Sequence, residues 1–154
     1  WEVYPKVIDW CNELGLAPFA NTDVHYTSAN MYRGRFQRPM TLVFATENSE
    51  EAVKEALFAG RMVACYNSTL SGKPEFLKSL IRESLSVKVI NQEKGTIEIT
   101  NHSDITYQVQ YGTLMYSVPL YPNQTMRANI RSGTDVTFTN CVVGKDRYVV
   151  TSLW

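Results

Sequence analysis

The hydrophobic pattern of the sequence changes its period once, near Leu85, and this change limits the possible folds more than any other feature. After Leu85, apolar and polar residues alternate with the two-residue period of strands that bury one face. Turn residues interrupt the alternation every 8–12 residues, a spacing typical of small β-sandwiches. We therefore predict an all-β, Ig-like sandwich over residues 85–154. Its predicted strands cover residues 85–90, 96–100, 104–110, 113–118, 126–130, 136–139 and 148–153.

Residues 1–84 instead alternate helix-like and strand-like stretches. Helices are predicted to begin at Pro5, at a capping box from Asn48 to Glu51, and at Pro74, with strands over residues 40–45 and 61–66. This order predicts βαβ units and a mostly parallel sheet. So few parallel strands cannot bury both faces. The segment therefore either packs entirely on the sandwich or, as we favour, ends a larger α/β barrel. Its open edges predict that the isolated chain dimerises or exchanges strands.

The charge and cysteine content exclude several classes of partner and site. Fifteen basic and 15 acidic residues cancel, so we predict neither nucleic-acid nor membrane binding. No apolar run reaches the roughly 20 residues of a membrane-spanning helix, which predicts a soluble protein, cytoplasmic or periplasmic. The widely spaced Cys11, Cys65 and Cys141 predict buried thiols rather than disulfides or a zinc ribbon.

Asp23 and His25 are the residues most suited to chemistry. They follow the apolar stretch 16–20, where a strand of a parallel sheet would end, and ligand sites of α/β folds collect at such ends. Two residues apart on an extended chain, their side chains would point the same way. The pair could bind one divalent ion or bridge two, or it could make an ordinary loop hydrogen bond. Two ligands are too few for a closed metal site.

Three arginines, Arg33, Arg35 and Arg38, follow this pair. A guanidinium group is well shaped to bind phosphate oxygens, although a solvated loop explains the same residues. Arg38 is the best candidate because Arg38–Pro39 leads directly into a predicted strand. Arg61, after Gly60, is expected to cap the end of a helix and to be structural.

Residues 7–85 resemble the C-terminal end of the PHP (polymerase and histidinol phosphatase) phosphoesterase family. The resemblance rests on the helix over residues 7–14, the D-x-H of Asp23 and His25, the strand of residues 38–45, and residues 49–64, which are similar to the family's EAL-x-x-GR helix and closing strand. It implies the end of a distorted (β/α)7 barrel that carries up to three divalent metal ions (Zn, Mn or Fe). Asp23 and His25 would be the last metal ligands.

The resemblance implies that the longer protein hydrolyses a phosphorylated small molecule with metal-activated water. The family's H-x-H motif and other ligands would lie upstream, so this chain would need the upstream part of its own barrel and would be inactive alone. The other histidine, His102, is expected in a turn of the β half. The alternative is a non-catalytic sandwich that binds carbohydrate or protein. Its aromatic residues are expected mostly in the core: Tyr107, Tyr111, Tyr116, Tyr121, Tyr148 and Trp154.

Overall fold

The computed structural model describes residues 4–23, 25–27 and 38–154. Its helices are α1 (Pro5–Glu13), α2 (Glu50–Phe58) and α3 (Pro74–Ser84). No helix in these ranges is long and apolar enough to cross a membrane. The strands are β1 (Met40–Val43), β2 (Met62–Tyr66), β3 (Thr69–Gly72), β4 (Leu85–Asn91), β5 (Thr96–Asn101), β6 (Tyr107–Tyr111), β7 (Val118–Leu120), β8 (Thr125–Asn129), β9 (Asp135–Gly144) and β10 (Arg147–Ser152).

The chain divides into two compact units. The first contains Trp1–Leu77 and Val142–Arg147, and the second contains Lys78–Cys141 and Tyr148–Trp154. The domain boundary expected at Leu85 remains a prediction, as does dimerisation or strand exchange of the isolated chain.

The helix ends follow from capping residues. Pro5 occupies the first position of α1, and Gly15, with a φ of +68°, follows its end. In α2 the N-cap is Ser49, whose hydroxyl accepts a hydrogen bond of 3.2 Å from the amide of Ala52. The prediction that Asn48 caps this helix was therefore wrong by one residue. Gly60, with a φ of +69°, follows α2 as predicted.

In the first unit, β2 pairs with both β1 and β3, and both pairs are antiparallel. Met40 lies opposite Cys65 and Val43 opposite Met62, so β1 and β2 run in opposite directions. The amide of Phe44 donates to the carbonyl of Arg61 over 3.0 Å, which shows that the connection through α2 returns to the end of the sheet that it left. A parallel pair needs a crossover to the opposite end. The predicted parallel sheet was therefore wrong.

A hairpin joins β2 to β3, a strand that the sequence did not predict. Asn67 and Ser68 form its two-residue turn, with φ values of +48° and +64°. Two consecutive positive φ values are typical of the type I′ turn, whose twist matches that of antiparallel strands.

Residues 16–23 form no strand, although the sequence predicted that a strand ends there. The amide of Ala20 donates to the hydroxyl of Thr41 over 3.0 Å, and that hydroxyl donates to the Ala20 carbonyl over 3.1 Å.

The second unit is mostly β, in open sheets consistent with a β-sandwich-like domain. One sheet has the order β4-β5-β8, and in the other β6 pairs with both β7 and β9, and β10 pairs with β9. Six of the seven predicted strands correspond to β4, β5, β6, β8, β9 and β10, whereas the strand predicted over residues 113–118 shares only Val118 with β7. Two bounds differ clearly: β7 covers only Val118–Leu120, and β9 continues to Gly144.

The core of the second unit contains one of the tyrosines expected there. Tyr107 is fully buried and packs edge-on against Phe138, with ring centroids 5.7 Å apart. Its hydroxyl donates to Ser84 over 3.0 Å. The expectation was wrong for Tyr116, Tyr121 and Tyr148, which are exposed. His102 follows β5, as expected of a connecting residue, with Nε2 2.7 Å from the Ser86 hydroxyl.

In the first unit, a charged cluster holds α1 to the turn between β9 and β10. The Asp9 carboxylate accepts hydrogen bonds from the amide of Lys145, at 3.1 and 3.2 Å, and from the Arg147 guanidinium, at 2.6 Å. Asn12 donates to the Val143 carbonyl over 3.0 Å. The pKa of Asp9 is lowered mainly by the hydrogen bond from Arg147 and also by the hydrogen bond from the Lys145 amide.

This cluster predicts a pH-dependent contribution to stability. Because the pKa of Asp9 is lowered by folding, its contribution is present above the unfolded-state pKa and is lost as pH falls through the lower folded-state pKa. We expect Asp9→Asn to lower the thermal midpoint at pH 7, and the difference from wild type to shrink as pH falls below about 4. Thermal unfolding followed by circular dichroism measures this. Asp135→Asn, at an exposed position, is the matched control. A difference between Asp9→Asn and wild type that stays constant with pH would contradict the role of the Asp9 charge.

Candidate functional site

Asp23 and His25 lie together on the surface of the first unit. Asp23 Oδ1 is 3.5 Å from His25 Nε2, and the two side chains are 73% and 77% exposed. Asp23 has a φ of +46°, a left-handed conformation that aspartate tolerates better than most residues. The backbone is therefore not the extended strand from which the pairing was predicted. The two side chains come together with Asp23 in this left-handed conformation instead.

The spacing of this pair is compatible with one shared metal ion. Two ligand atoms that are each about 2.1 Å from a tetrahedral ion lie about 3.4 Å apart. The observed 3.5 Å is close to this value, although a hydrogen-bonded ion pair has a similar distance. Across residues 4–23, 25–27 and 38–154, no group of three or more His, Cys, Asp and Glu side chains is placed to hold a metal. The described residues can therefore supply two ligands of a larger set.

Asp23 and Arg38 line the same shallow depression. Arg38 is exposed, and no salt bridge joins it to another described residue. Arg33 and Arg35 lie outside the described residues. A carboxylate and a guanidinium that face one depression could bind a cation and an anion side by side. The depression is lined by Phe19, Ala20, Asn21, Thr22, Asp23, Arg38, Pro39, Met40 and Thr41.

The walls of this depression are fixed to the sheet. Thr41 lies in β1 and holds the backbone of Ala20 through its two hydrogen bonds. Pro39 is buried and leads directly into β1. The segment before Asp23 is therefore fixed to β1 at Ala20, three residues earlier, rather than by a strand of its own.

Arg61 caps the end of α2 and is structural, as expected, because its backbone amide donates to the carbonyl of Ala56 over 2.9 Å. Its Nε donates to the Phe44 carbonyl over 3.1 Å, and its guanidinium pairs with Glu55, with Nη1 2.9 Å from Oε1. The hydrogen bond from Arg61 lowers the pKa of Glu55. Arg61 therefore ties α2 to the segment that leaves β1.

A deeper, mainly apolar pocket adjoins the depression, and it was not predicted from the sequence. Its floor includes Tyr66, Thr69 and Ser71, and its walls come from α1 and residues 18–21. Burial raises the pKa of the Cys65 thiol, which also borders this pocket. The sequence predicted β2 from its apolar run, but it predicted neither β3 nor the position of α1 beside these strands.

Comparison with known proteins gives one informative similarity. No protein-family model matches the chain, and no curated protein matches it. The chain is similar to the crystal structure of a two-domain protein from Bacteroides vulgatus that contains a predicted PHP-like metal-dependent phosphoesterase. The TM-score is 0.84 at 23% identity, and the match covers 97% of this chain but only 49% of that protein. At this identity, the similarity shows a shared fold, and the chain spans about half of the protein that it resembles.

Proposed function

We propose that the chain is the C-terminal part of a PHP-type metal-dependent phosphoesterase, to which it contributes two metal ligands and a phosphate-binding arginine. The observation that carries the proposal is the Asp23–His25 pair, 3.5 Å apart, beside a depression that Arg38 also lines. The fold similarity to a protein with a predicted phosphoesterase of this type supports it.

Each residue has a distinct task in this proposal. The Asp23 carboxylate and the His25 imidazole would hold one divalent ion, Zn, Mn or Fe. When bound, such an ion lowers the pKa of water and neutralises phosphate charge. Arg38 would bind a phosphate oxygen and offset the repulsion between the phosphate and Asp23. Thr41 would keep the Ala20 wall, and with it Asp23, in place.

The remaining ligands would come from the rest of a longer protein. The structure that the chain resembles is about twice as long as the matched region. A site with only two protein ligands binds metal weakly, because three or four are normal. We therefore expect the isolated chain to bind metal but not to hydrolyse phosphate esters.

Calorimetric titration with Mn²⁺ and Zn²⁺ tests the proposal directly. We expect weak binding by the wild-type chain and a loss of affinity of about tenfold or more in Asp23→Ala/His25→Ala. His102→Ala/Asp104→Ala is a matched control, because it removes the same residue types at the same spacing from an exposed site elsewhere. Equal affinities in wild type and Asp23→Ala/His25→Ala would contradict the assignment of the metal ligands.

A second function is favoured by the surface of the second unit. Met115 is 94% exposed and Tyr116 is 68% exposed, in the connection between β6 and β7. The pKa of Tyr111 is raised mainly by burial and also by electrostatic interaction with the nearby Tyr116. Exposed aromatic rings of this kind can stack on sugars, so a non-catalytic carbohydrate-binding module is the alternative. Oligosaccharide binding that is lost in Tyr116→Ala but kept in Asp23→Ala/His25→Ala would favour it over the phosphoesterase.

A further inference from the structure

The floor of the apolar pocket is one face of the β2–β3 hairpin. Ala64 lies opposite Ser71, and Tyr66 lies opposite Thr69, so these four side chains share one side of the hairpin. Three of them carry hydroxyl groups. Ser71 is only 5% exposed although it borders the pocket. The floor therefore offers three hydroxyl groups, on a buried Ser71 and on the partly exposed Tyr66 and Thr69.

The walls of the pocket are apolar. Val7 and Ile8 come from α1, and Phe19 comes from the segment after it. The pocket volume is about 250 Å³. An apolar protein cavity of about 150 Å³ is large enough to bind benzene. The pocket is therefore large enough for one aromatic ring with a small substituent.

The pocket and the Asp23–Arg38 depression are neighbours. Four residues line both of them: Phe19, Ala20, Asn21 and Pro39. The two hydrogen bonds between Ala20 and Thr41 fix this shared wall to β1. A ligand with an anionic group in the depression would therefore have the apolar pocket directly beside it.

We infer that the substrate class is a phosphate monoester of an aromatic or otherwise apolar alcohol, with the phosphate beside Arg38 and the organic group in the pocket. This inference rests on the proposed function. In the hydrolysis, the water oxygen bonds to phosphorus, the ester P–O bond breaks, and the alcohol oxygen takes the proton that water loses. The hydroxyls of Tyr66, Thr69 and Ser71 would bind a polar substituent of the organic group.

Three probes separate the pocket from the depression in calorimetric titrations of the chain with Mn²⁺ present. Inorganic phosphate reports on the depression, phenol on the pocket, and phenyl phosphate on both. We expect phenyl phosphate to bind at least about tenfold more tightly than inorganic phosphate, because its ring is removed from water. Ala64→Phe fills the pocket and should bring the ratio of the two affinities close to one. Ala59→Phe, the same change at an exposed site, should keep the ratio.

Arg38→Ala tests the other half of the arrangement. This change should weaken the binding of inorganic phosphate and of phenyl phosphate, and it should leave the affinity for phenol as it is in wild type. Nuclear magnetic resonance of the wild-type chain gives a readout that needs no variant. The amide signals of Ala64, Tyr66 and Ser71 should shift with phenol and phenyl phosphate more than with inorganic phosphate.

The outcomes distinguish failure of the inference from failure of the proposed function. Equal affinities for phenyl phosphate and inorganic phosphate, with Arg38→Ala weakening both, would overturn the substrate class and leave the phosphoesterase proposal standing. Phenol binding in the pocket without any phosphate binding that depends on Arg38 would overturn both the inferred substrate class and the proposed phosphate-binding role of Arg38.

Discussion

Phe138→Ala is expected to lower the free energy of unfolding by about 3–5 kcal/mol, a loss typical of a buried phenylalanine. Phe138 is fully buried in the second unit, where its ring packs edge-on against Tyr107. The change removes the transfer free energy of the ring and leaves a cavity that β-sheet neighbours cannot fill by a small movement. It also removes an aromatic pair that contributes about 0.5–1.5 kcal/mol.

Urea denaturation followed by circular dichroism measures this loss. Phe58→Ala is the matched control, because Phe58 is 85% exposed, and we expect a change within about 0.5 kcal/mol for it. If Phe138→Ala lost no more stability than Phe58→Ala, Phe138 would not be part of the core of the second unit.

The β half of the chain was the more predictable half, because its strands bury one face. Ile97 and Ile99 are buried in β5, and Val136 and Phe138 are buried in β9, so their two-residue spacing corresponds to the observed structure. Residues 113–117 alternate in the same way but lie in a connection, where Met115 and Tyr116 are exposed. Alternation alone does not distinguish a strand from a loop that happens to contain spaced apolar residues.

The direction of strands was not predictable from element order. Strand, helix and strand follow one another in both parallel and antiparallel arrangements. The connection from Phe44 to Arg61 contains a helix and is long enough for either arrangement. Only the structure shows that it begins and ends at the same end of the sheet. The β2–β3 turn had a weak sequence signal, since Asn67 tolerates a positive φ, but Ser68 is not a residue that favours one.

The Asp23–His25 proximity could be predicted because it depends on sequence spacing of two residues. It occurs with Asp23 in a left-handed conformation rather than in an extended strand. The apolar pocket could not be predicted, since α1, the segment around Phe19 and the β2–β3 hairpin are separated in the sequence and meet only through tertiary packing. The fold therefore places an apolar pocket beside the depression that Asp23 lines.

Gly95→Ala is expected to have the second large effect on stability. Gly95 lies in the β4–β5 turn with a φ of +65°, and its carbonyl accepts a hydrogen bond of 2.8 Å from the amide of Ile130. A left-handed conformation costs a residue with a side chain about 1–2 kcal/mol. A Cβ atom at this position would also lie 3.0 Å from the backbone nitrogen of Arg131 and 3.1 Å from its Cα.

The backbone of Arg131 cannot move away without loss of the hydrogen bond from Ile130, so we expect a total loss of more than about 2 kcal/mol. Gly133→Ala is the matched control. Gly133 has a φ of +72°, but a Cβ there would have no atom within 4 Å, so this variant should show only the conformational loss. Comparison of the two variants by urea denaturation isolates the effect of the close contact with Arg131, because both variants lose the free energy of placing a side chain at a positive φ. Equal losses would mean that the turn moves away from Arg131 freely, and that the pairing of β5 with β8 does not depend on this close approach.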